Sequence, residues 1–329
     1  MKASGKTKRT ADSNRAGAAW KGPASPPDSR LEQAGSVYQS YIKHVRACHG
    51  RRAAPPDIPL DLESSHSGRL GFRRNEVSLV ASRPGAGKTA FLISAIDCLI
   101  TSGKFNMAVF LPDMPPAKFC AMLTAVRAGV EYDEYAKGYI PKAKRGAVKK
   151  AGEEISGANL WISTKTSFAP QAVYDSALAL ASKLKKENKK LDIAFIDSFN
   201  YLAECGDPTG PKGWAFDTLT ALAKATDSAV VCSYDLGKDK EDASFKTHPK
   251  LRDFRVRGVS EDAVGLIINI VRPEFYGIET SQKNEVHLDI VWDRHAPDRD
   301  GFTARFNPHS LRFYTDDSRD TGDHGWVGL

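Results

Sequence analysis

The chain has little sulfur and no long apolar run. Its 329 residues include four methionines and five cysteines. Cys48, Cys98, Cys120, Cys205 and Cys232 are odd in number, widely scattered and never in a C-x-x-C pair. That excludes a disulfide framework and points to free thiols in a reducing compartment. His44, Cys48 and His49 stand close together. They lack a second ligand pair nearby, so they read as a solvated basic segment rather than a metal site. No run is long and apolar enough to span a bilayer. The charged N-terminus is not followed by the apolar stretch of a secretory signal. A cytoplasmic location is the expectation.

Residues 1–28 lack large apolar side chains almost entirely, and a segment of that composition cannot build a core and is expected to be disordered. The net charge of +7 is concentrated at this end: residues 1–56 hold eleven Lys/Arg against three acids, so the rest is close to neutral. Such a basic arm suits a polyanion such as nucleic acid, or serves only as a solubilising tail. Residues 29–47 differ. Leu31, Ala34, Tyr38, Tyr41, Ile42 and Val45 recur at three- and four-residue spacing, which predicts an amphipathic helix. Residues 48–68 return to Pro, Gly, Ser and charge, as a flexible linker would. An isolated helix between such segments needs a surface to dock on, in a neighbouring subunit or in its own domain. The acidic, Gly-rich stretch 316–329 reads as a tail.

Between them, residues 69–315 alternate apolar strands with amphipathic helices. Strands are expected at 77–81, 107–111, 159–163, 192–196, 229–233, 266–271, 286–292 and 302–306. Helices are expected at 88–101, 115–129, 144–156, 170–187, 212–226 and 258–264. Early β–α alternation implies an α/β fold with a mostly parallel twisted sheet covered on both faces. The last strands follow one another directly, as an antiparallel extension does.

One segment carries the chemistry. Val77 to Ala81 is a buried-strand pattern, followed by Ser82-Arg83-Pro84-Gly85-Ala86-Gly87-Lys88-Thr89 and then an apolar helix pattern. Strand, Gly-rich turn and helix N-terminus form an anion cradle, because turn N–H groups and the helix dipole both face the anion. Lys88 can reach the β- and γ-phosphates of a nucleotide such as ATP, and the Thr89 hydroxyl can ligate Mg²⁺. A second apolar strand ends in Asp197, where a carboxylate can hold Mg²⁺ through water opposite Thr89. A third ends in Pro112-Asp113. Asp113 suits a residue that orients or deprotonates an attacking water.

In order and spacing, six segments resemble the motor domain of DnaB-type hexameric replicative helicases. They are Arg83 to Thr89, Phe110 to Pro115, Phe195 to Asp197, Val230 to Ser233, Leu251 to Glu261, and Val291 to Arg294. The resemblance implies a RecA-like P-loop NTPase core over about 69–315 that binds ATP and Mg²⁺ between subunits of a homo-oligomer, a hexamer. It implies translocation on single-stranded DNA in a bacterial or phage-infected cell, with a primase, loader or polymerase as partner. Asp113 takes the place of the catalytic carboxylate and Arg294 that of an arginine finger acting on the neighbouring subunit. Lys250, Arg252, Arg255, Arg257 and Gly258 take the place of a DNA-facing loop, or form merely an exposed basic loop. The chain departs from the pattern at Asp113, where the family has Glu. It departs again at Tyr234, where a sensor Gln is expected, and at Trp292, where a Lys is. The family's globular N-terminal domain is replaced by the basic arm and one helix. A recombinase-like filament protein, or a degenerate paralogue that binds ATP and regulates or loads another helicase, remain as alternatives.

Overall fold

The computed structural model describes residues 33–35, 38, 39, 42, 56–60, 70–164, 169–204, 213–236, 249–251, 254, 259, 263–277, 283–296 and 299–314. Its strands are β1 (Ile58–Pro59), β2 (Gly71–Phe72), β3 (Val77–Ser82), β4 (Met107–Phe110), β5 (Leu160–Ile162), β6 (Ile193–Ile196), β7 (Ala229–Asp235), β8 (Val264–Val271), β9 (Glu285–Asp293), β10 (Phe302–Asn307) and β11 (Arg312–Tyr314). The helices between them are α1 (Lys88–Ser102), α2 (Pro116–Ala128), α3 (Tyr132–Ala136), α4 (Arg145–Gly157), α5 (Pro170–Lys186), α6 (Phe199–Glu204) and α7 (Trp214–Thr226).

Nine strands form one sheet in the order β11-β10-β9-β8-β3-β7-β6-β4-β5. From β8 to β5 all pairings are parallel, and β9, β10 and β11 extend the sheet antiparallel. The expected mixed sheet is therefore what forms. Successive residues of β3 and β4 face opposite sides, as strand geometry requires. Val80, Met107 and Val109 enter one core with α1 and α2. Leu79, Ala81, Ala108 and Phe110 enter the other, with α5 and α7. Burial on both faces explains why these strands read as continuous apolar runs rather than alternating ones.

Three local expectations are corrected. The segment 48–68, read as a flexible linker, is anchored midway. Ile58 and Leu60 are buried with Phe72 in the main core, and β1 pairs with β2. The helix expected at 258–264 does not form at its described residues: Val259 lies outside any element, Ala263 is in a turn, and Val264 begins β8. The eight-residue apolar run Val264–Val271 pairs with β3 and β9 instead, so strand pairing claims its first residues. Third, β11 has no counterpart in the sequence expectation. It packs Phe313 edge-on against Phe91 of α1, with ring centroids 5.5 Å apart.

The basic arm at 1–28 and the acidic stretch at 316–329 lie outside the described residues. In the segment 29–47, Ala34, Gly35, Tyr38, Gln39 and Ile42 are helical, and Tyr38 is well exposed.

Candidate nucleotide site

The site forms at the carboxyl edge of the parallel strands, where open α/β sheets bind ligands. The strand β3 runs into the turn Arg83 to Gly87, and α1 starts at Lys88. Gly85 and Gly87 have φ of 81° and 108°, a left-handed backbone that side chains disfavour. At Gly87 a methyl group would also approach the Phe313 ring to 3.3 Å. Ala86 is buried, and its N–H donates to Arg83 O at 3.3 Å, which closes the turn. No side chain caps the N-terminus of α1, and its first turn holds no acid. No side-chain cap therefore occupies the N–H groups of that turn, as an anion site needs.

Lys88 is buried. Its Nζ donates to Ser82 Oγ at 3.2 Å, Arg83 O at 3.3 Å and Ser82 O at 3.4 Å. It also forms an ion pair with Asp235 Oδ1 at 2.5 Å. Thr89 Oγ1 donates to Asp197 Oδ2 at 2.6 Å, and Ser233 Oγ donates to Asp197 Oδ1. Thr89 and Asp197, 108 residues apart, thus meet as the sequence suggested.

Asp113 lies in the turn between β4 and α2, one strand beyond Asp197. The ends of β4 and β6 are tied by Asp197 N–H donating to Phe110 O at 3.0 Å. Partial burial raises the Asp113 carboxyl above the ordinary carboxylate range, and the Asp197 and Asp235 charges push in the same direction. The Asp113 backbone and Lys118 oppose the shift. A row of carboxylates therefore follows three neighbouring strand ends: Asp235 on β7, Asp197 after β6 and Asp113 after β4.

The donor set fits a nucleoside triphosphate with Mg²⁺. Among the described residues no cluster of three or more His, Cys, Asp or Glu could hold a metal by itself. What the chain offers is a hydroxyl and a carboxylate, 2.6 Å apart. Such a pair suits a hard cation that takes its remaining oxygens from phosphate and water.

Comparison with known proteins gives the family and the fold. The family described as "DnaB-like helicase C terminal domain" matches residues 60–315. The chain belongs to that family. Its relatives include the replicative DNA helicase DnaB of Geobacillus stearothermophilus, 22% identical over 79% of this chain and 57% of the relative. The replicative DNA helicase DnaC of Bacillus subtilis is 21% identical with the same coverage. The chain thus spans little more than half the length of these relatives. Solved structures share its fold. A structure described as an ATPase domain superposes with a TM-score of 0.70 at 18% identity, over 87% of this chain and 99% of that one. A DnaB-like replicative helicase described with its interactions with primase gives 0.67 at 18% identity, over 88% and 68%.

Other expected positions lie elsewhere. Arg294 follows β9, whose end pairs with the beginning of β8 (Leu266 with Asp293). It therefore sits at the amino edge of β3, the six-residue length of that strand from the phosphate loop, roughly 20 Å. There its Nη1 lies 3.8 Å from Glu76 Oε1, which also contacts His295 Nε2 at 2.7 Å. Lys250 is exposed, while Arg252, Arg255, Arg257 and Gly258 fall outside the described residues. Tyr234 is 1% exposed, stacked on Phe199 and packed against the tilted ring of Phe254. Trp292 is used in packing, and its Nε1 donates to Val264 O at 3.3 Å. Both departures thus put bulk into the second core rather than a polar group into the site.

Sequence reasoning missed Asp235, Ser233 and Asn200. Asn200 brackets the Asp235 backbone: Asp235 N–H donates to Asn200 Oδ1 at 2.6 Å, and Asn200 Nδ2 donates to Asp235 O at 3.0 Å. The available signal was an apolar strand followed within two residues by a carboxylate, the same pattern that singled out Asp197.

Proposed function

We propose that the chain is the ATP-hydrolysing motor of a ring-forming DNA helicase that moves along single-stranded DNA. The observation that carries this reading is the Lys88–Thr89–Asp197 arrangement at the central strand ends, in a chain that belongs to a helicase family. The phosphate-loop N–H groups and Lys88 bind the phosphates, and Thr89 and Asp197 hold Mg²⁺. When bound, Mg²⁺ neutralises charge developing on the phosphoryl oxygens. Asp197 is held in place by Thr89 and Ser233. Asp113 accepts the proton of the attacking water at its carboxylate, a task favoured by a carboxyl raised above the ordinary carboxylate range. Its side chain is one methylene shorter than Glu, so the water must sit closer to the turn between β4 and α2 that carries it.

Arg294 is too far from its own phosphate loop to serve it. Its place at the opposite sheet edge supports a role on the neighbouring subunit, where a cation stabilises transition-state charge. A heterologous interface of this kind forms a ring when its rotation closes and a filament when it does not, and we propose the closed form, a homohexamer. Lys250 and Arg252, Arg255, Arg257 and Gly258 after it would contact DNA phosphates in the channel. The helix at 29–47 would dock on the adjacent subunit. A primase is the partner suggested by one structural neighbour, and a loader or polymerase would fit the same replisome role. Its site of action would be the cytoplasm. Among the described residues no helix is long and apolar enough to cross a membrane.

The trans role has a direct check. Arg294→Ala and Lys88→Ala subunits are each expected to form inactive assemblies. Mixed in equal amounts, they should regain activity at about a quarter of the interfaces, those pairing an intact Lys88 with an intact Arg294. Steady-state hydrolysis of the mixture measures this. Co-assembled mixtures that stay inactive contradict a trans-acting Arg294.

The burial of Tyr234 favours one other reading, a degenerate paralogue that binds ATP without coupling it to DNA. ATP hydrolysis with and without single-stranded DNA separates the two. The motor reading predicts stimulation by DNA, and the paralogue reading predicts none.

A further inference from the structure

Strand β7 lies directly beside β3, and their register pairs Asp235 with Ser82, the residue that opens the phosphate loop. Alternation along β7 sends neighbouring side chains to opposite faces. Tyr234 therefore enters the core between Phe199 and Phe254, while Asp235 reaches the Lys88 ammonium. The Lys88 side chain is 9% exposed and that of Asp235 35%. An ammonium buried to this degree requires a partner, and Asp235 supplies the charge that the carbonyls of Ser82 and Arg83 cannot. The placement of Asp235 is fixed from behind, because Asn200 holds both its backbone N–H and its carbonyl. Asn200 sits in α6, which begins two residues after Asp197. One short connection thus ties the Lys88 partner to the strand end that carries the proposed Mg²⁺ ligand.

We infer that Asp235 is a positioning residue of the nucleotide site, an internal counter-ion for Lys88 that an incoming phosphate oxygen must displace. The inference rests on the phosphate-loop reading proposed above and adds a competitor to it. Phosphate and Asp235 both need the same ammonium. The apparent affinity for nucleotide is therefore lowered by the fraction of molecules in which Asp235 holds it. Displaced, Asp235 leaves an anionic side chain beside Asp113 and Asp197, so a triphosphate is accepted best with its divalent cation. Asp235 has no assigned proton or bond to transfer. Its effect is on binding, through Lys88.

The test is equilibrium binding of a non-hydrolysable ATP analogue with Mg²⁺ to the full chain. Asp235→Asn keeps the size of the side chain and both backbone bonds to Asn200 while removing the charge. It is expected to bind roughly tenfold more tightly than the unsubstituted chain, with a matching fall in KM for ATP. Asp235→Ala should shift affinity in the same direction, which guards against an Asn-specific effect. Neither gain should appear in a Lys88→Ala background. Unchanged or weaker binding by Asp235→Asn, beside clearly weakened binding by Lys88→Ala, overturns the counter-ion role and leaves the phosphate loop standing. Lys88→Ala binding as well as the unsubstituted chain overturns the phosphate-loop reading and this inference with it.

Discussion

Lys88→Ala is expected to abolish ATP hydrolysis and to leave the fold unchanged. The Lys88 ammonium meets the loop carbonyls directly, and the residue lies at the N-terminus of α1 rather than in either apolar core. Truncation removes a point charge from the phosphates, both in the bound state and as charge moves in the transition state. The loss leaves Asp235 Oδ1, a buried atom, facing the space of the removed side chain, which water can enter because the Asp235 side chain as a whole is 35% exposed. Stability should therefore change little, because the β3 and β7 pairing is made by backbone bonds. Turnover measured beside circular dichroism distinguishes a dead site from a collapsed one. A folded Lys88→Ala protein that hydrolyses ATP at a near-normal rate contradicts the phosphate loop.

Asp113→Asn is expected to bind ATP and to hydrolyse it about a hundredfold or more slowly. The substitution keeps shape and removes the base. The pH profile gives a second check, because the Asp113 carboxyl is raised by burial and by Asp197 and Asp235. A base acts only when ionised, so activity should be full above its raised pKa and fall as pH drops through it. That fall should come at higher pH than for an ordinary carboxylate, and the residual activity of Asp113→Asn should lack it. Asp113→Glu restores the longer side chain of the family and is expected to retain activity. Normal turnover by Asp113→Asn assigns the base to another acid.

What could be read from the sequence was what lies close together along it. The phosphate loop was legible because strand, turn and helix are contiguous, and because Gly85 and Gly87 occupy positions whose positive φ demands glycine. Asp197 was legible as a carboxylate ending an apolar strand. Its meeting with Thr89 followed from the rule that ligands gather at the carboxyl edge. Asp235 carries the same mark, a carboxylate ending an apolar strand. Its importance comes from the lateral pairing of β7 with β3, which joins residues about 150 positions apart and leaves no local trace. Ile58 and Leu60 were read as linker for a related reason. Two apolar residues among prolines and charges make no periodic pattern, yet they fill a gap beside Phe72 in the main core. Arg294 was chosen by resemblance. Only the antiparallel pairing of β9 with β8 places it at the amino edge of the sheet, away from its own phosphate loop. At its described residues the helix expected at 258–264 is replaced from Val264 onward by a strand whose apolar run is equally compatible with either periodicity.

Strand separation on a forked DNA duplex tests the central claim most directly. The assembled chain, given ATP and Mg²⁺, is expected to release the labelled strand at a rate that follows ATP hydrolysis. Unwinding should cease in the Lys88→Ala protein and on a blunt duplex with no single-stranded tail. An assembled protein that binds ATP yet neither separates the fork nor hydrolyses ATP faster in the presence of single-stranded DNA contradicts a DNA motor.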